Sequence, residues 1–286
     1  MRYEAPNTVD AAVALLAGES GLARVLAGGT DLLVQLRAGF VEPDLIVDLK
    51  RIEALRRITA EAGGFRIGAA VPAAELGEHK ELRKLWPGVV EAAELIGSTQ
   101  IQGRATMTGN LCNASPAADS VPALVAAGAV ATLAGPKGRR ELPVEEVASG
   151  PGKTNLDKGE LVESIYLPAR PARSGDAYLR FIPRTEMDIA VVGAGVSLSL
   201  DGNGTCNAAR VALCAVAPRV LLVEEAAKAL IGTTLDDKAL ANLDEAARAA
   251  CRPIDDKRGT REFRIKVAGV LARRAAAIAL DRARSK

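Results

Sequence analysis

Arg24-Val25-Leu26-Ala27-Gly28-Gly29-Thr30-Asp31-Leu32-Leu33 is the stretch on which the reading of this chain turns. Arg24-Val25-Leu26 is a short β segment, and the glycine pair after it breaks the strand. Asp31 to Arg37 has helical composition and stops at Gly39; Leu45-Ile46-Val47-Asp48 supplies a second β segment. Together they make a strand–loop–helix–strand unit. Glycine tolerates positive φ and exposes the main chain, so amide N–H groups can converge at Ala27-Gly28-Gly29-Thr30-Asp31. The helix start adds partial positive charge where an anion would sit. Thr30 offers a hydroxyl, and Asp31 is placed to cap the helix. The same residues would also serve as a tight turn that holds nothing, so this loop alone assigns no ligand.

Upstream, a short strand precedes Thr8, which caps a helix over 9–17 with Val13 and Leu16 on one face. Downstream, Phe65 to Ala69 reads as a strand and Val89 to Ile96 as a helix. The stretch from Gly97 to Pro122 differs: it is rich in Ser, Thr, Asn and small residues and has no period. A segment that long without a pattern is disordered or functional, and its embedded apolar residues argue for order. Within it, Thr106-Met107-Thr108-Gly109-Asn110 and Asn113-Ala114-Ser115-Pro116-Ala117-Ala118-Asp119 gather hydroxyls, amides and one carboxylate. That inventory suits a ligand with phosphates and sugar hydroxyls. Asp119 is also placed to be the N-cap of a helix beginning at Ser120.

Further strands are expected at Val130 to Leu133 and Leu161 to Leu167, and Pro168-Ala169-Arg170-Pro171 marks a domain boundary. Beyond it, Ala190 to Leu200 and Cys206 to Val216 read as strands joined by the turn Asp201-Gly202-Asn203-Gly204. Gly193-Ala194-Gly195 lacks a third glycine and a following helix, so it reads as a strand interruption and not a dinucleotide fingerprint. Helices follow at 221–231, 236–251 and 260–284, the last with Phe263, Val267, Val270, Leu271 and Ile278 as its apolar stripe.

Over 286 residues the net charge is +2, so no basic field points to nucleic acid, and Arg273 to Lys286 reads as a solvated terminal helix. The longest apolar stretch, Ile189 to Leu200, falls short of the about 20 residues a bilayer span needs. Cys112, Cys206, Cys214 and Cys251 show no metal-ligand spacing, and His79, the one histidine, lies in a charged stretch as a solvated side chain. Metal ligands are therefore expected to be none, and the cysteine usage fits a reducing cytoplasm.

These residues, taken in order, resemble the FAD-binding subunits of molybdenum-containing hydroxylases, the group that includes the flavin domain of xanthine dehydrogenase. The resemblance runs from Tyr3-Glu4-Ala5-Pro6 through Leu26 to Leu33 and peaks at Gln100 to Asp119. It continues in Tyr178-Leu179-Arg180, Arg184 to Ala190, Pro253 to Gly259 and Phe263-Arg264. It implies an α+β fold, with an FAD-binding domain over 1–170 (subdomains about 1–55 and 56–170) and a C-terminal domain of antiparallel sheet plus helices over 171–286. The FAD pyrophosphate would be wrapped by Ala27, Gly28, Gly29, Thr30 and Asp31 and met from the other side by Thr106 to Asn110, so that Thr106, Thr108, Gly109 and Asn110, together with Leu26, Leu32, Ile101 and Ser115, are implied cofactor-binding residues. Asp119 would take hydroxyls of the cofactor's sugar chain, Leu161 and Val162 would line one end, and Arg180 and Ile189 would approach the flavin ring. For these last two, plain alternatives are a surface cation and strand core. At Thr108-Gly109-Asn110 the family commonly has Gly-Gly-Asn, so Thr108 must hold φ below zero or carry strain.

The resemblance further implies partners: an iron–sulfur (2Fe-2S) small subunit and a molybdenum-cofactor large subunit that oxidises the organic substrate. Electrons would pass from the clusters through FAD to NAD+, oxygen or another acceptor, with no catalytic acid or base needed in this chain. No Ser/His/Asp or Cys/His set stands against that. The rival readings are a stand-alone FAD-dependent reductase on the same fold and a non-catalytic nucleotide-binding module.

Overall fold

The computed structural model describes residues 1–285; Lys286, the end of the basic stretch, lies outside them. The first layer is a parallel sheet of β1 (Arg2–Glu4), β2 (Ala23–Leu26) and β3 (Leu45–Asp48) in the order β1-β3-β2. All four residues of the central β3 are buried, as a parallel strand covered on both faces requires. Helix α1 (Val9–Gly18) packs Val9, Ala12, Val13 and Leu16 inward, and the Thr8 hydroxyl accepts its Ala11 amide. Helix α2 (Leu32–Arg37) connects β2 towards β3 and leaves β2 at the sheet's edge.

The second layer is antiparallel: β4 (Ile58–Glu61), β5 (Gly64–Gly68), β6 (Val130–Gly135), β7 (Gly138–Pro143) and, after a ribbon of β8 (Ala148–Gly150) and β9 (Lys153–Thr154), β10 (Leu161–Leu167). Its order is β4-β5-β10-β6-β7. The helices α3 (Ala73–Glu78), α4 (Lys80–Leu85), α5 (Pro87–Ala93), α6 (Thr99–Gln102), α7 (Met107–Cys112), α8 (Val121–Ala126) and α9 (Val144–Val147) accompany it. Residues 97–122 thus hold two short helices and the start of a third where the sequence shows no period. Six residues or fewer make less than two turns, too few for a 3.6-residue repeat to declare itself. His79 is half-buried and not merely solvated: its Nδ1 accepts the Leu82 amide at the start of α4, and its ring meets Phe65 edge-on.

The third layer is the antiparallel sheet β11 (Ser174–Phe181), β12 (Val192–Leu200), β13 (Cys206–Cys214) and β14 (Leu221–Leu222), in chain order. The turn at 201–204 forms as expected, with Asp201 Oδ1 accepting the amides of Asn203 and Thr205. Strand β11 is an addition to the sequence reading. The segment read as a helix over 221–231 opens with β14 and is helical only as α10 (Glu224–Lys228). Gly193 and Gly195 lie inside an unbroken β12: a Cβ on Gly195 would stand 2.6 Å from the Pro122 carbonyl oxygen, so this glycine admits α8, not an interruption.

Helices α11 (Asp237–Ala250) and α12 (Arg261–Arg284) close the third layer. The buried face of α12 is Ala268, Ala272, Ala275, Ala276, Ala279 and Ala283 with Leu271, and it corrects the expected stripe, of which Phe263 is 42% exposed. Alanine is chosen by distance. A Cβ on Gly175 of β11 would lie 1.9 Å from the Ala279 carbonyl oxygen, so helix and strand touch main chain to main chain. Ala279→Leu is expected to lower stability by about 3 kcal/mol through overpacking, read as a lower urea midpoint at unchanged slope.

Arg282 of α12 also reaches across to α5, donating to Glu91 Oε2 at 3.0 Å and to the Asp176 carbonyl at 2.8 Å. Arg170 lies buried beside it, stacked 4.3 Å from the Trp86 ring centroid and paired with Asp176 at 2.7 Å. These contacts fix the third layer against the second.

Candidate cofactor site

A cavity of about 500 Å³ is walled by β2 and the loop after it, by Thr106 and α7, and by residues 152–162. That volume falls within the range of small-molecule and cofactor sites. Among the described residues, no acceptor meets the backbone N–H groups of Gly28, Gly29, Thr30, Asp31, Leu32 or Thr108. Unsatisfied main-chain donors facing a cavity are a place for an anion, because leaving them unpaired costs about 1–3 kcal/mol each when buried. Gly29 has φ +79, the left-handed conformation that turns the chain into α2. Gly28 is constrained by space instead: a Cβ there would lie 2.0 Å from the Arg104 carbonyl oxygen. The first loop therefore rests on the main chain that leads into the second.

The loop is braced from below. Lys50 Nζ donates to the Ala27 carbonyl at 3.2 Å and to Asp48 Oδ1 at 2.7 Å. Burial alone would raise the Asp48 carboxyl, but the hydrogen bonds from Lys50 and Tyr3 outweigh it and hold it below its ordinary value. In the second segment, Thr106 is the N-cap of α7: its Oγ1 accepts the Gly109 amide at 2.9 Å. Thr108 is helical and outside the positive-φ residues, so it carries no left-handed strain. Asn110 Oδ1 accepts both the amide (3.0 Å) and the hydroxyl (2.8 Å) of Ser120, which ties α7 to the start of α8.

Of the residues expected at the site, Ala27, Gly28, Gly29, Thr30, Asp31, Leu32, Thr106, Thr108, Gly109, Asn110, Leu161 and Val162 line this cavity. Leu26 is buried beneath it among Leu32 and Ile46. Asp31 holds the N-cap position of α2, but its side chain accepts no amide; burial raises its carboxyl above the ordinary value. Ile101 packs over Gly97, and the Ser115 hydroxyl accepts the Ala117 amide beside a separate small void.

Asp119 is not an N-cap. Its Oδ2 accepts from Arg180 Nη1 at 2.8 Å, while its Oδ1 is buried with no partner. Burial pushes its carboxyl up to about 6, against the opposing pull of Arg180. Arg180, with 5% of its side chain exposed, is no surface cation. Ile189 lies outside the strands and is 52% exposed, so it is not strand core; the neighbouring Asp188 carboxylate accepts its amide and Arg258.

Sequence reading missed other wall residues, among them Arg24, Val25, Gln35 and Thr154, and it placed Asn113, also on the wall, only within the second polar segment. A usable signal existed for Gln35, which is four residues beyond Asp31 on α2 and so on that loop's face, as Asn113, the C-cap of α7, is four beyond Gly109. Among the described residues, no group of three or more His, Cys, Asp or Glu is placed to hold a metal ion, and no helix is long and apolar enough to cross a membrane. Main-chain donors on two sides of a cavity fit the pyrophosphate of a dinucleotide; Asp119, whose buried Oδ1 still lacks a donor, does not itself line that cavity, nor do Arg180 and Ile189.

Residues 1–170 match the family described as the FAD binding domain in molybdopterin dehydrogenase, and residues 177–279 match the CO dehydrogenase flavoprotein C-terminal domain. The carbon monoxide dehydrogenase medium chain of Hydrogenophaga pseudoflava is 33% identical over 273 residues, covering 96% of this chain and 94% of that one. The xanthine dehydrogenase FAD-binding subunit of Escherichia coli O157:H7 is 32% identical over 265 residues, covering 92% and 90%. The structure of reconstituted CO dehydrogenase from Oligotropha carboxidovorans superposes with a TM-score of 0.94 at 35% identity, covering 99% of this chain and 98% of that one. The chain belongs to the FAD-binding family of molybdopterin dehydrogenases, and it is an FAD-dependent, electron-transferring oxidoreductase subunit.

Proposed function

We propose that the FAD pyrophosphate is held between the amides of residues 28–32 and the start of α7, the two sides of the cavity described above. The observation that carries this reading is the set of six main-chain N–H groups without acceptors beside that one cavity. Leu161 and Val162, which line the same cavity, would hold the adenylate end of the cofactor. Asp119, Arg180 and the exposed Ile189, outside the cavity lining, would meet the flavin end. Asp119 Oδ1 takes a hydroxyl of the sugar chain, which supplies the donor it lacks. Arg180 keeps that carboxylate ionised in contact with the cofactor.

The chemistry supplied by bound FAD is storage of electrons between single-electron delivery and the final acceptor. This chain's residues bind and orient; none is asked to act on an organic substrate. The partners in this reading are a 2Fe-2S small subunit and a molybdenum-cofactor large subunit, with NAD+, oxygen or another acceptor downstream. Support comes from the relatives' names, which are those of subunits, and from the match of two family segments on either side of residue 170. The four cysteines are free thiols, which accords with work in a reducing cytoplasm.

Equilibrium titration of flavin-stripped protein with FAD is expected to saturate at one FAD per chain, with ADP competing. Saturation by riboflavin alone, with no competition by ADP, would place the ligand elsewhere. Isolation of the native complex is expected to bring down an iron–sulfur protein and a molybdenum protein; recovery of this chain alone with full turnover would favour the stand-alone reductase.

A further inference from the structure

Two hydrogen-bonded helices flank the cavity, each following one of its donor-bearing segments. Helix α2 follows the glycine loop, and α7 follows Thr106. On the first, Gln35 N donates to the Asp31 carbonyl; on the second, Asn113 N donates to the Gly109 carbonyl. Both side chains line the cavity, and Gln35 Nε2 donates to Asn113 Oδ1 at 3.1 Å across 78 residues of sequence. No other side-chain hydrogen bond among the described residues joins α2 to α7. The chain turn after Asn113 is itself held: Ala114 sits at φ 51, and its carbonyl accepts the Gly152 amide at 3.1 Å.

We propose that Gln35 and Asn113 are positioning residues that set the width of the pyrophosphate cradle. The two sides of the cradle touch at two places. At the near end the Gly28 main chain lies against the Arg104 carbonyl; at the far end the Gln35–Asn113 bond closes the span. Between these points stand the unpaired amides of residues 28–32 and of Thr108. Amide donors hold an anion well only if both sides keep their spacing before it arrives, because reorganisation on binding is subtracted from affinity. One hydrogen bond of this kind contributes about 0.5–1.5 kcal/mol, so its loss is expected to weaken binding about 3- to 10-fold. The inference rests on the FAD reading above and adds to it a clasp that need not touch the phosphates.

The test is a double-mutant cycle on the full-length chain, with FAD and ADP titrated separately into flavin-stripped protein. Gln35→Ala and Asn113→Ala are each expected to weaken both ligands by a similar factor, and the double variant to be no weaker than either single. The melting temperature of flavin-stripped protein is expected to stay within about 2 degrees of wild type, since a part-exposed pair contributes little to stability. Additive losses in the double variant would mean that each side chain contacts the cofactor independently, and would overturn the clasp. So would unchanged affinity in both single variants, or a fall in melting temperature that accounts for the loss. If wild-type protein binds neither FAD nor ADP, it is the cofactor reading of this cavity that fails, not the clasp between the helices.

Discussion

Gly28→Ala is expected to purify without flavin and to bind added FAD at least 100-fold more weakly than wild type, about 3 kcal/mol. The added methyl would stand 2.0 Å from the Arg104 carbonyl oxygen, 2.8 Å from its carbon and 3.1 Å from Ala105 Cα. All three are main-chain atoms, so no side chain can swing aside. Relief requires the glycine loop to move off the segment that leads into α7, and the donors on the two sides then separate. Gly29→Ala meets a softer obstacle. Its methyl would approach Leu26 Cδ1 at 2.8 Å, and its φ of +79 costs an L-residue about 1 kcal/mol. A loss of 10-fold or less is expected there. Flavin-to-protein ratios after desalting, followed by fluorescence titration of stripped protein, separate the two. Equal effects at the two positions would show that the Gly28 contact does not set the cradle.

Arg180→Met is expected to cost about 2 kcal/mol at pH 7.5, because the buried carboxylate it strands must take up a proton about 1.5 units above its folded value. The pH dependence identifies the cause. Asp119 ionises at about 6 in the folded protein, above its ordinary 3.8, because burial outweighs Arg180. A carboxyl raised on folding gives its full stability below the unfolded value and loses it as pH rises through the folded one. In the wild type this group's contribution therefore declines between about pH 4 and pH 6. Without Arg180 the folded value climbs further, and at pH 5 the carboxyl is neutral and inexpensive to bury. Urea unfolding is expected to show a much smaller loss at pH 5 than at pH 7.5. A loss of equal size at both would mean that Asp119 carries no charge in the folded protein.

Local features of this fold were open to sequence reading, and long-range ones were not. The unit from Arg24 to Asp48 was legible because its strand, glycine pair, helix and strand are each decided within ten residues. The turn at Asp201 was legible for the same reason. The weight falling on Gly28 and not Gly29 was hidden, since its obstacle is Arg104, far along the chain. Strand β11 was hidden by Ser174-Gly175-Asp176-Ala177: helices cover it, so its residues are small where α12 presses and show no alternation. The α12 face was misread because alanine is a weak apolar signal, and larger residues nearby drew attention from it. Most expected cofactor residues do gather at one cavity, yet the partner of Asp119 lies 61 residues away and no spacing rule announces it.

The Arg282–Glu91 pair joins positions 191 residues apart. Contacts at such separation form late, because the chain between must order before they close. During synthesis, α5 and the glycine-bearing face of β11 leave the ribosome well before the helix that covers them. Until α12 arrives, β11 has β12 beside it, but its face at Gly175 lacks the Ala279 main chain that covers it in the finished fold. The nascent chain therefore has an interval in which that bare face is open to a chaperone or a partner subunit before its last helix closes over it.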